Sequence, residues 1–186
     1  MSNIELVEWQ RYSPKNGMIQ CWFTHSCLDW MEEQDWSDKT VIMFGAGLGD
    51  AWLAAKCKNL YIVERNSEWL EKSKIVSNQA GSNNIEYILR PCNDSDGKAD
   101  YYLELPKEVD FDVIINDDAY RTELCQVAVD YFKKKGGGIF VADNWAQSLR
   151  VDNGILKLPI LFHGFHPHTL VYLHDNLLCQ GLAYLK

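Results

Sequence analysis

The chain has 186 residues, of which 26 are acidic and 18 are Lys or Arg, giving a formal net charge of −8 at pH 7. This length suits one domain with a full-sized hydrophobic core, and a hydrophobic content of 47% is typical of a soluble globular protein. The excess of acidic residues argues against a general nucleic-acid binder, because such proteins normally present a basic face.

The first residues and the cysteines bear on the compartment. Residues 1–10 contain acidic side chains and lack the apolar stretch of a secretory signal. The sequence contains no run of about 18 apolar residues, so we do not expect a membrane-spanning helix. The six cysteines form no CxxC pair, so we expect reduced and mostly buried thiols. The sequence therefore predicts a cytoplasmic protein with no membrane and no nucleic-acid partner. A homodimer remains an open alternative.

The first 36 residues are the least regular part of the chain. The pairs Ser13-Pro14 and Asn16-Gly17 predict turns. Residues 1–18 are a candidate lid over a bound ligand, the alternative being a loosely packed tail. A loose helical spacing of apolar residues favours a helix over residues 19–36.

From residue 41 onwards, apolar runs alternate with helical patterns. The predicted strands are 41–44, 60–63, 85–89, 113–115 and 139–142, with a short extra strand at 99–103. The predicted helices are 51–58, 67–78 with Ser67 as N-cap, and 122–134, which ends before the glycines at 136–138. Two final runs, 169–174 and 178–185, are separated by Asp175-Asn176 and predict an antiparallel hairpin.

This order of elements predicts an α/β fold, because strands that alternate with helices form parallel sheets covered on both faces. We expect a single domain over residues 1–186. It should be a three-layer Rossmann-like sandwich with a seven-stranded, mostly parallel sheet whose last strand runs antiparallel. Ligands of such sheets bind beyond the carboxyl ends of the strands.

The stretch 41–55, VIMFGAGLGDAWLAA, joins the first strand to its helix through three glycines. The dinucleotide fingerprint G-x-G-x-x-G would place its third glycine at position 50, where this chain has Asp50. A carboxylate there would repel a pyrophosphate and suits a ligand with positive charge. Glu64 follows Gly45 by 19 residues, at the end of the next strand, where an acid accepts hydrogen bonds from ribose hydroxyls. A tight turn without a ligand is the structural alternative.

The segment VIMFGAGLGDAWLA followed by YIVERN resembles the first two motifs of the class I S-adenosylmethionine-dependent methyltransferases. NIEYILRPCNDSDGKADYY resembles the third-strand region of the FkbM-like members. The resemblance covers about residues 40–145 and the terminal hairpin. It implies that the glycine loop contacts the amino-acid part of S-adenosylmethionine and that Glu64 holds the ribose.

The resemblance also implies which residues border the cofactor. Cys92, Asn93 or Asp94, just after the third strand, would lie near the adenine, with a plain solvated turn as the alternative. The complete predicted cofactor-binding set is Phe44, Gly45, Ala46, Gly47, Gly49, Asp50, Glu64, Arg65, Asn93 and Asp117.

Acids and amides end the two following strands, in IINDDAYR and FVADNW. These ends should open on the same edge of the sheet as the glycine loop, where Asp117 and Asp143 are candidates to take the acceptor's proton. The same segments resemble the metal-dependent catechol and caffeoyl-CoA O-methyltransferases. That resemblance implies Mg²⁺ ligands, and catalytic residues, at Asp117, Asp143 and Asn144. Capping of the following helix is the alternative role of Asp143 and Asn144.

We therefore predict an enzyme that moves a methyl group from S-adenosylmethionine to a small-molecule acceptor, with a hydroxyl as the expected acceptor group. A protein side chain remains open as acceptor. A nucleotide (NAD)-dependent oxidoreductase and a non-catalytic binding module with the same fold are the alternatives. One of His163, His166 and His168 is expected to border the substrate. The seven tryptophans are expected mostly in the core.

Overall fold

The computed structural model describes residues 11–23, 25–93, 99–118, 120–143 and 170–174. Their strands are β1 (Trp36–Phe44), β2 (Cys57–Glu64), β3 (Ile85–Leu89), β4 (Val113–Asn116), β5 (Gly138–Ala142) and β6 (Leu170–His174). Their helices are α1 (His25–Glu33), α2 (Asp50–Ala54), α3 (Ser67–Gln79), α4 (Ala99–Tyr102) and α5 (Arg121–Lys135).

The described strands form one sheet in the order β3-β2-β1-β4-β5-β6. The first five strands are mutually parallel, and β6 pairs with β5 in the antiparallel direction, with Ile139 opposite Leu173. The order reverses between β1 and β4, because the chain winds outwards from β1 on one side and from β4 on the other. Open α/β sheets bind their ligands at such a switch point.

Alternating side chains of the strands enter two separate hydrophobic clusters, one on each face of the sheet. In β1, Val41 and Met43 join the cluster that contains residues of α1 and α2, whereas Ile42 and Phe44 join the cluster that contains residues of α4 and α5. All four side chains are 0 to 1% exposed. Burial on both faces explains why the parallel strands read as continuous apolar runs, and it confirms the predicted α/β architecture.

The structure corrects four details of the predicted elements. The helix expected over residues 51–58 is α2, which ends at Ala54 because the chain already enters β2 at Cys57. The helix expected over residues 19–36 is only α1, and β1 already begins at Trp36, whose ring is buried and lies edge-on against Trp30 at 6.0 Å. The segment 99–103 contains the helix α4 and no strand, because Tyr102 packs its ring against Phe44 on the sheet face instead of pairing at an edge. The N-cap of α3 is Asn66, whose side chain accepts a hydrogen bond from the Trp69 amide at 3.0 Å.

Other expectations are confirmed or lie outside the described residues. Helix α5 ends at the left-handed Gly136, as predicted, and the five described cysteines are free and buried. The strand predicted at 178–185 lies outside the described residues, so the count of seven and the direction of the last strand stay predictions. Within the described part of the chain, no helix combines the length and the hydrophobicity needed to cross a bilayer.

Candidate functional site

Backbone hydrogen bonds tie the carboxyl end of β1 to both neighbouring strands. The Gly45 amide donates to the Val63 carbonyl at 2.8 Å, and the Asp117 amide donates to the Phe44 carbonyl at 2.8 Å. Gly45 has a φ of +104°, and a Cβ there would lie 2.7 Å from the carbonyl oxygen of Asp117. Glycine is therefore required at this position for both its conformation and its close contact.

A cleft of about 670 Å³ opens at this end of the sheet, a volume suited to a small-molecule ligand. Six predicted cofactor-binding residues line it: Gly45, Ala46, Glu64, Arg65, Asn93 and Asp117. The loops after β1, β2, β3 and β4 thus converge on one cavity, as expected for parallel strands that end at the same edge.

The first three amides of the glycine loop are already hydrogen-bonded within the protein. Besides the bond from Gly45 to Val63, the Ala46 amide donates to Glu64 Oε2 at 2.8 Å and the Gly47 amide donates to Asp50 Oδ1 at 2.9 Å. Two of the three acceptors are therefore carboxyl groups. The loop differs in this respect from a phosphate-binding loop, whose free amides point at the anion.

Glu64 is the centre of this arrangement. Its side chain is buried, and Oε1 accepts hydrogen bonds from the amides of Arg65 at 2.8 Å and Asn66 at 2.7 Å. A carboxylate offers about four lone-pair positions, so the three amides leave capacity for about one further donor. Glu64 therefore lies against the glycine loop and lines the cleft, and its ribose-binding role stays a prediction.

Asp50 differs from its expected state. Its side chain is fully buried and lies off the cleft wall, where burial raises its pKa to about 8, against hydrogen bonds from Gly47 and Tyr87 that lower it. The charge of Glu64 raises the pKa further. Burial thus favours the neutral form of Asp50, and its side chain lies off the cleft wall, so the selection of a cationic ligand by its charge stays a prediction.

Gly49 is required by a contact within the protein. A Cβ at this position would lie 2.3 Å from the backbone nitrogen of Cys21 and 2.6 Å from the carbonyl carbon of Gln20. The described part of the predicted lid thus leads into a segment that packs directly on the glycine loop, and Glu32 anchors it by accepting from Gln20 Nε2 at 2.8 Å. The remainder of the lid, residues 1–10, lies outside the described residues.

Three more of the predicted cofactor residues lie off the cleft wall besides Asp50. Phe44 is fully buried under Tyr102, Gly49 lies beneath Cys21, and Gly47 is partly exposed with no atom nearer than 3.8 Å to an added Cβ. Their contacts with a cofactor stay predictions, and Gly47 is the one with room for a ligand.

An ion pair that the sequence analysis missed joins the ends of β2 and β4. Arg65 Nη2 lies 3.1 Å from Asp118 Oδ1, and the Tyr102 hydroxyl donates to Asp118 Oδ2 at 2.6 Å. Burial and the adjacent Asp118 raise the pKa of Tyr102 well above its ordinary value. Because the strand between β2 and β4 is β1, this pair spans the end of the strand that carries the glycine loop.

Trp69 is an exception to the expectation that the tryptophans lie mostly in the core, which Trp36 and Trp52 meet with exposures of 2% and 0%. Its side chain is 40% exposed and lines the cleft, and its indole nitrogen donates to the Ala46 carbonyl. Asn66, Cys92 and Asp118 also line the cleft. Asn66 and Trp69 could have been found from sequence, because both lie in the first turn after Glu64. Tyr120 is not among the residues that line the cleft; it has a left-handed backbone conformation, and its hydroxyl donates to the Asn93 carbonyl at 2.9 Å.

The predicted catalytic and metal-binding residues are only partly described. Asp117 lines the cleft, Asp143 is 2% exposed at the end of β5, and both raise the pKa of the Cys21 thiol, after the larger effect of burial. In the part of the chain that the structure describes, no three His, Cys, Asp or Glu side chains form a group that could hold a metal ion. Asn144, Asp94 and the three histidines at 163, 166 and 168 lie outside it.

The architecture is that of solved methyltransferases. The RNA methyltransferase of Salinibacter ruber in complex with S-adenosylhomocysteine is similar with a TM-score of 0.56 and 12% identity, over 82% of this chain and 92% of that chain. The rRNA methylase of Streptococcus thermophilus gives a TM-score of 0.50 and 18% identity, over 80% and 93%. The chain therefore has the fold of the class I S-adenosylmethionine-dependent methyltransferases.

Other comparisons are weaker. The O-methyltransferase TomG of Streptomyces achromogenes gives a TM-score of 0.46 and 19% identity over 60% of this chain, and the chain spans about half, 51%, of the length of TomG. No model of a protein family and no curated protein matches the sequence.

Proposed function

We propose that the protein binds S-adenosylmethionine in the cleft and transfers its methyl group to a small molecule, with a hydroxyl as the favoured acceptor. The observation that carries the proposal is the glycine loop, whose first three amides are used internally while Glu64 lies against it. A pyrophosphate would need those amides. A ligand whose sulfur and amino groups are both cationic does not.

The charges of the cleft support this choice over NAD. Its walls carry Glu64, Asp117 and Asp118 against Arg65, and Arg65 is paired with Asp118. A net negative cavity with low-dielectric walls attracts cations and repels phosphates. This support applies to the cofactor.

For this methyl transfer, the protein has to orient the donor and the acceptor and to accept the proton of the acceptor hydroxyl. S-adenosylmethionine supplies a methyl carbon that bonds to the acceptor oxygen while sulfur keeps the electron pair of the broken bond. In this proposal the loop and Glu64 orient the donor, and the bound donor and acceptor exclude water from the reacting atoms. Among the cleft-wall carboxylates Glu64, Asp117 and Asp118, Asp117 is our candidate to take the acceptor's proton.

Metal assistance is the alternative to a carboxylate base. Asp117, Asp143 and Asn144 would be the ligands, and the described residues alone offer no complete set. A methyl-transfer rate that EDTA leaves unchanged would exclude the metal and retain Asp117 as base. A rate abolished by EDTA and restored by Mg²⁺ would have the opposite meaning.

Calorimetric titration of the protein with S-adenosylmethionine, S-adenosylhomocysteine and NAD tests the cofactor. We expect dissociation constants in the range of about 1 to 100 µM for the first two and no saturable binding of NAD. Saturable NAD binding without S-adenosylhomocysteine binding would support the oxidoreductase instead. Cofactor binding without turnover on any pool of hydroxyl compounds, proteins or RNA would support the non-catalytic module.

Asp117→Asn tests the proposed base. Loss of the proton acceptor should lower kcat by about 100-fold or more, while the dissociation constant of S-adenosylhomocysteine changes by less than about threefold. Asp38→Asn is the matched control, because Asp38 is an exposed carboxylate early in β1. Equal kcat values for the two variants would remove Asp117 from the reaction.

A further inference from the structure

Asp50 is a buried acid that the proposed reaction does not use. It begins α2, its side chain is 0% exposed, and it is not among the residues that line the cleft. Burying a carboxyl group is costly unless its oxygens are hydrogen-bonded. Its retention inside the protein therefore raises the question of what its two oxygens hold in place.

One side of Asp50 holds the middle of the glycine loop. Oδ1 accepts from the Gly47 amide at 2.9 Å, and the Asp50 amide donates to the Gly47 carbonyl at 3.2 Å. Gly45 and Ala46 are held from β2 by Val63 and Glu64. Asp50 thus fixes both backbone polar groups of Gly47, the glycine that follows the two residues tied to the sheet.

The other side of Asp50 reaches across the protein to α3. Oδ2 accepts from the Tyr87 hydroxyl at 3.1 Å, and that hydroxyl lies 2.9 Å from Ser77 Oγ. When Asp50 is ionised, Tyr87 gives its single proton to Asp50 and Ser77 donates to Tyr87; when Asp50 is protonated, its O–H can donate to Tyr87 and Tyr87 to Ser77. Ser77 is 2% exposed. A chain of hydrogen bonds therefore runs from Ser77 on α3, through Tyr87 on β3 and Asp50 on α2, to Gly47.

We propose that Ser77, Tyr87 and Asp50 form a positioning relay that holds Gly47 in its binding conformation and thereby sets the affinity of the cleft for S-adenosylmethionine. The proposal rests on the proposed function for the identity of the ligand. Each member acts through the next, and Asp50 alone contacts the loop. Loss of a member should matter more the nearer it lies to Gly47, because side-chain networks are coupled along their length.

Five variants titrated with S-adenosylhomocysteine test the relay. Asp50→Ala should weaken binding by about tenfold or more, Tyr87→Phe by about threefold, and Ser77→Ala by less. Asp50→Asn should lose less than about threefold, because its amide oxygen still accepts from Gly47 and its amino group can donate to Tyr87. Ser73→Ala is the matched control, since Ser73 is a fully buried serine on the same helix whose hydroxyl has no hydrogen-bond partner in the structure.

Amide hydrogen exchange without ligand separates positioning from general destabilisation. Asp50→Ala should speed exchange in the loop at residues 45–49, with β4 and β5 unchanged, and Asp50→Asn should restore protection. Wild-type affinity in Asp50→Ala, or an equal loss in Ser73→Ala and Ser77→Ala, would overturn the relay. If the wild type binds no S-adenosylhomocysteine, the proposed function fails, and unchanged loop exchange in Asp50→Ala would still refute the relay by itself.

Discussion

Glu64 accepts hydrogen bonds from the amides of Ala46, Arg65 and Asn66 while it lines the cleft. One carboxylate thus closes the turn after β2 and fastens the glycine loop to it. A single residue with both a structural and a ligand-binding role cannot be removed without affecting both properties.

Glu64→Ala should therefore lower the free energy of unfolding by about 2 kcal/mol or more, because buried amides lose their acceptor. It should also weaken S-adenosylhomocysteine binding by about tenfold at a temperature where the variant is folded. Urea unfolding and calorimetry measure the two effects. Glu68→Ala, an exposed acid on α3, is the control, and equal stability of the two variants would contradict the structural role.

Asp50 makes stability depend on pH. Its pKa in the folded protein is about 8, against an ordinary value of 3.8. Between these values the folded state keeps a proton that the unfolded state has released, so this group lowers the stability as pH rises and adds no further change above its folded pKa. The groups that act on it are Gly47 and Tyr87, which lower its pKa, and the charge of Glu64, which raises it.

Asp50→Asn removes this titration. Relative to the wild type, its free energy of unfolding should rise by at least about 1 kcal/mol between about pH 5 and pH 8. Urea unfolding across this range checks the difference, with Asp38→Asn as the exposed control. Parallel pH profiles for Asp50→Asn and the wild type would show that the carboxyl group is ionised in the folded protein.

At the scale of elements, two glycines of the loop, Gly47 and Gly49, differ in how closely the rest of the protein packs around them. Gly49 lies against the backbone of Gln20 and Cys21, whereas an added Cβ at Gly47 would make only ordinary van der Waals contacts, the nearest with Asp50 Oδ1 at 3.8 Å. The side chain of Gln20, in the segment before α1, donates a hydrogen bond to Glu32 on α1. Glu32 also accepts a hydrogen bond from the indole nitrogen of Trp52 on α2 at 2.9 Å. The segment before α1 and the loop after β1 are therefore packed as one unit.

Gly49→Ala should destabilise the protein by about 1 to 3 kcal/mol, because the new methyl group overlaps backbone atoms that no side-chain rotation can move. Gly47→Ala is the matched variant two residues away and should change stability by less than about 0.5 kcal/mol. Thermal unfolding measures both. Similar losses at the two positions would show that the segment before α1 does not rest on Gly49.

At the scale of the whole molecule, the net charge of −8 and the acidic cleft bear on the acceptor. The similar proteins of Salinibacter ruber and Streptococcus thermophilus are an RNA methyltransferase and an rRNA methylase. A polyanion such as RNA, however, would be repelled by the negative electrostatic potential of this chain. We expect a mixed tRNA pool to show no saturable binding below about 100 µM at about 150 mM salt, measured by filter retention. Micromolar binding that weakens steeply with salt would contradict a small-molecule acceptor and favour RNA.

Much of the sheet was predictable from sequence. The runs at 41–44, 113–115 and 139–142 are buried strands because both of their faces are covered, and this double burial leaves a continuous apolar signature. The glycine loop and the position of Glu64 were predictable for a similar reason, since a turn and the end of a strand are local features. The helix α4 was not, because Tyr102 is placed by its contact with Phe44 on a distant strand.

By itself, the sequence determined which segments are buried strands, where the turn after the first strand lies and which acid follows the second strand, because short-range periodicity and glycine content encode these features. Only the tertiary structure decided that Arg65 pairs with Asp118, that Gly49 packs against the Cys21 backbone and that Asp50 is hydrogen-bonded to Tyr87. These partners are 28 to 53 residues apart in the chain. These residues come into contact only when the sheet has formed, so no local sequence pattern predicts their contacts.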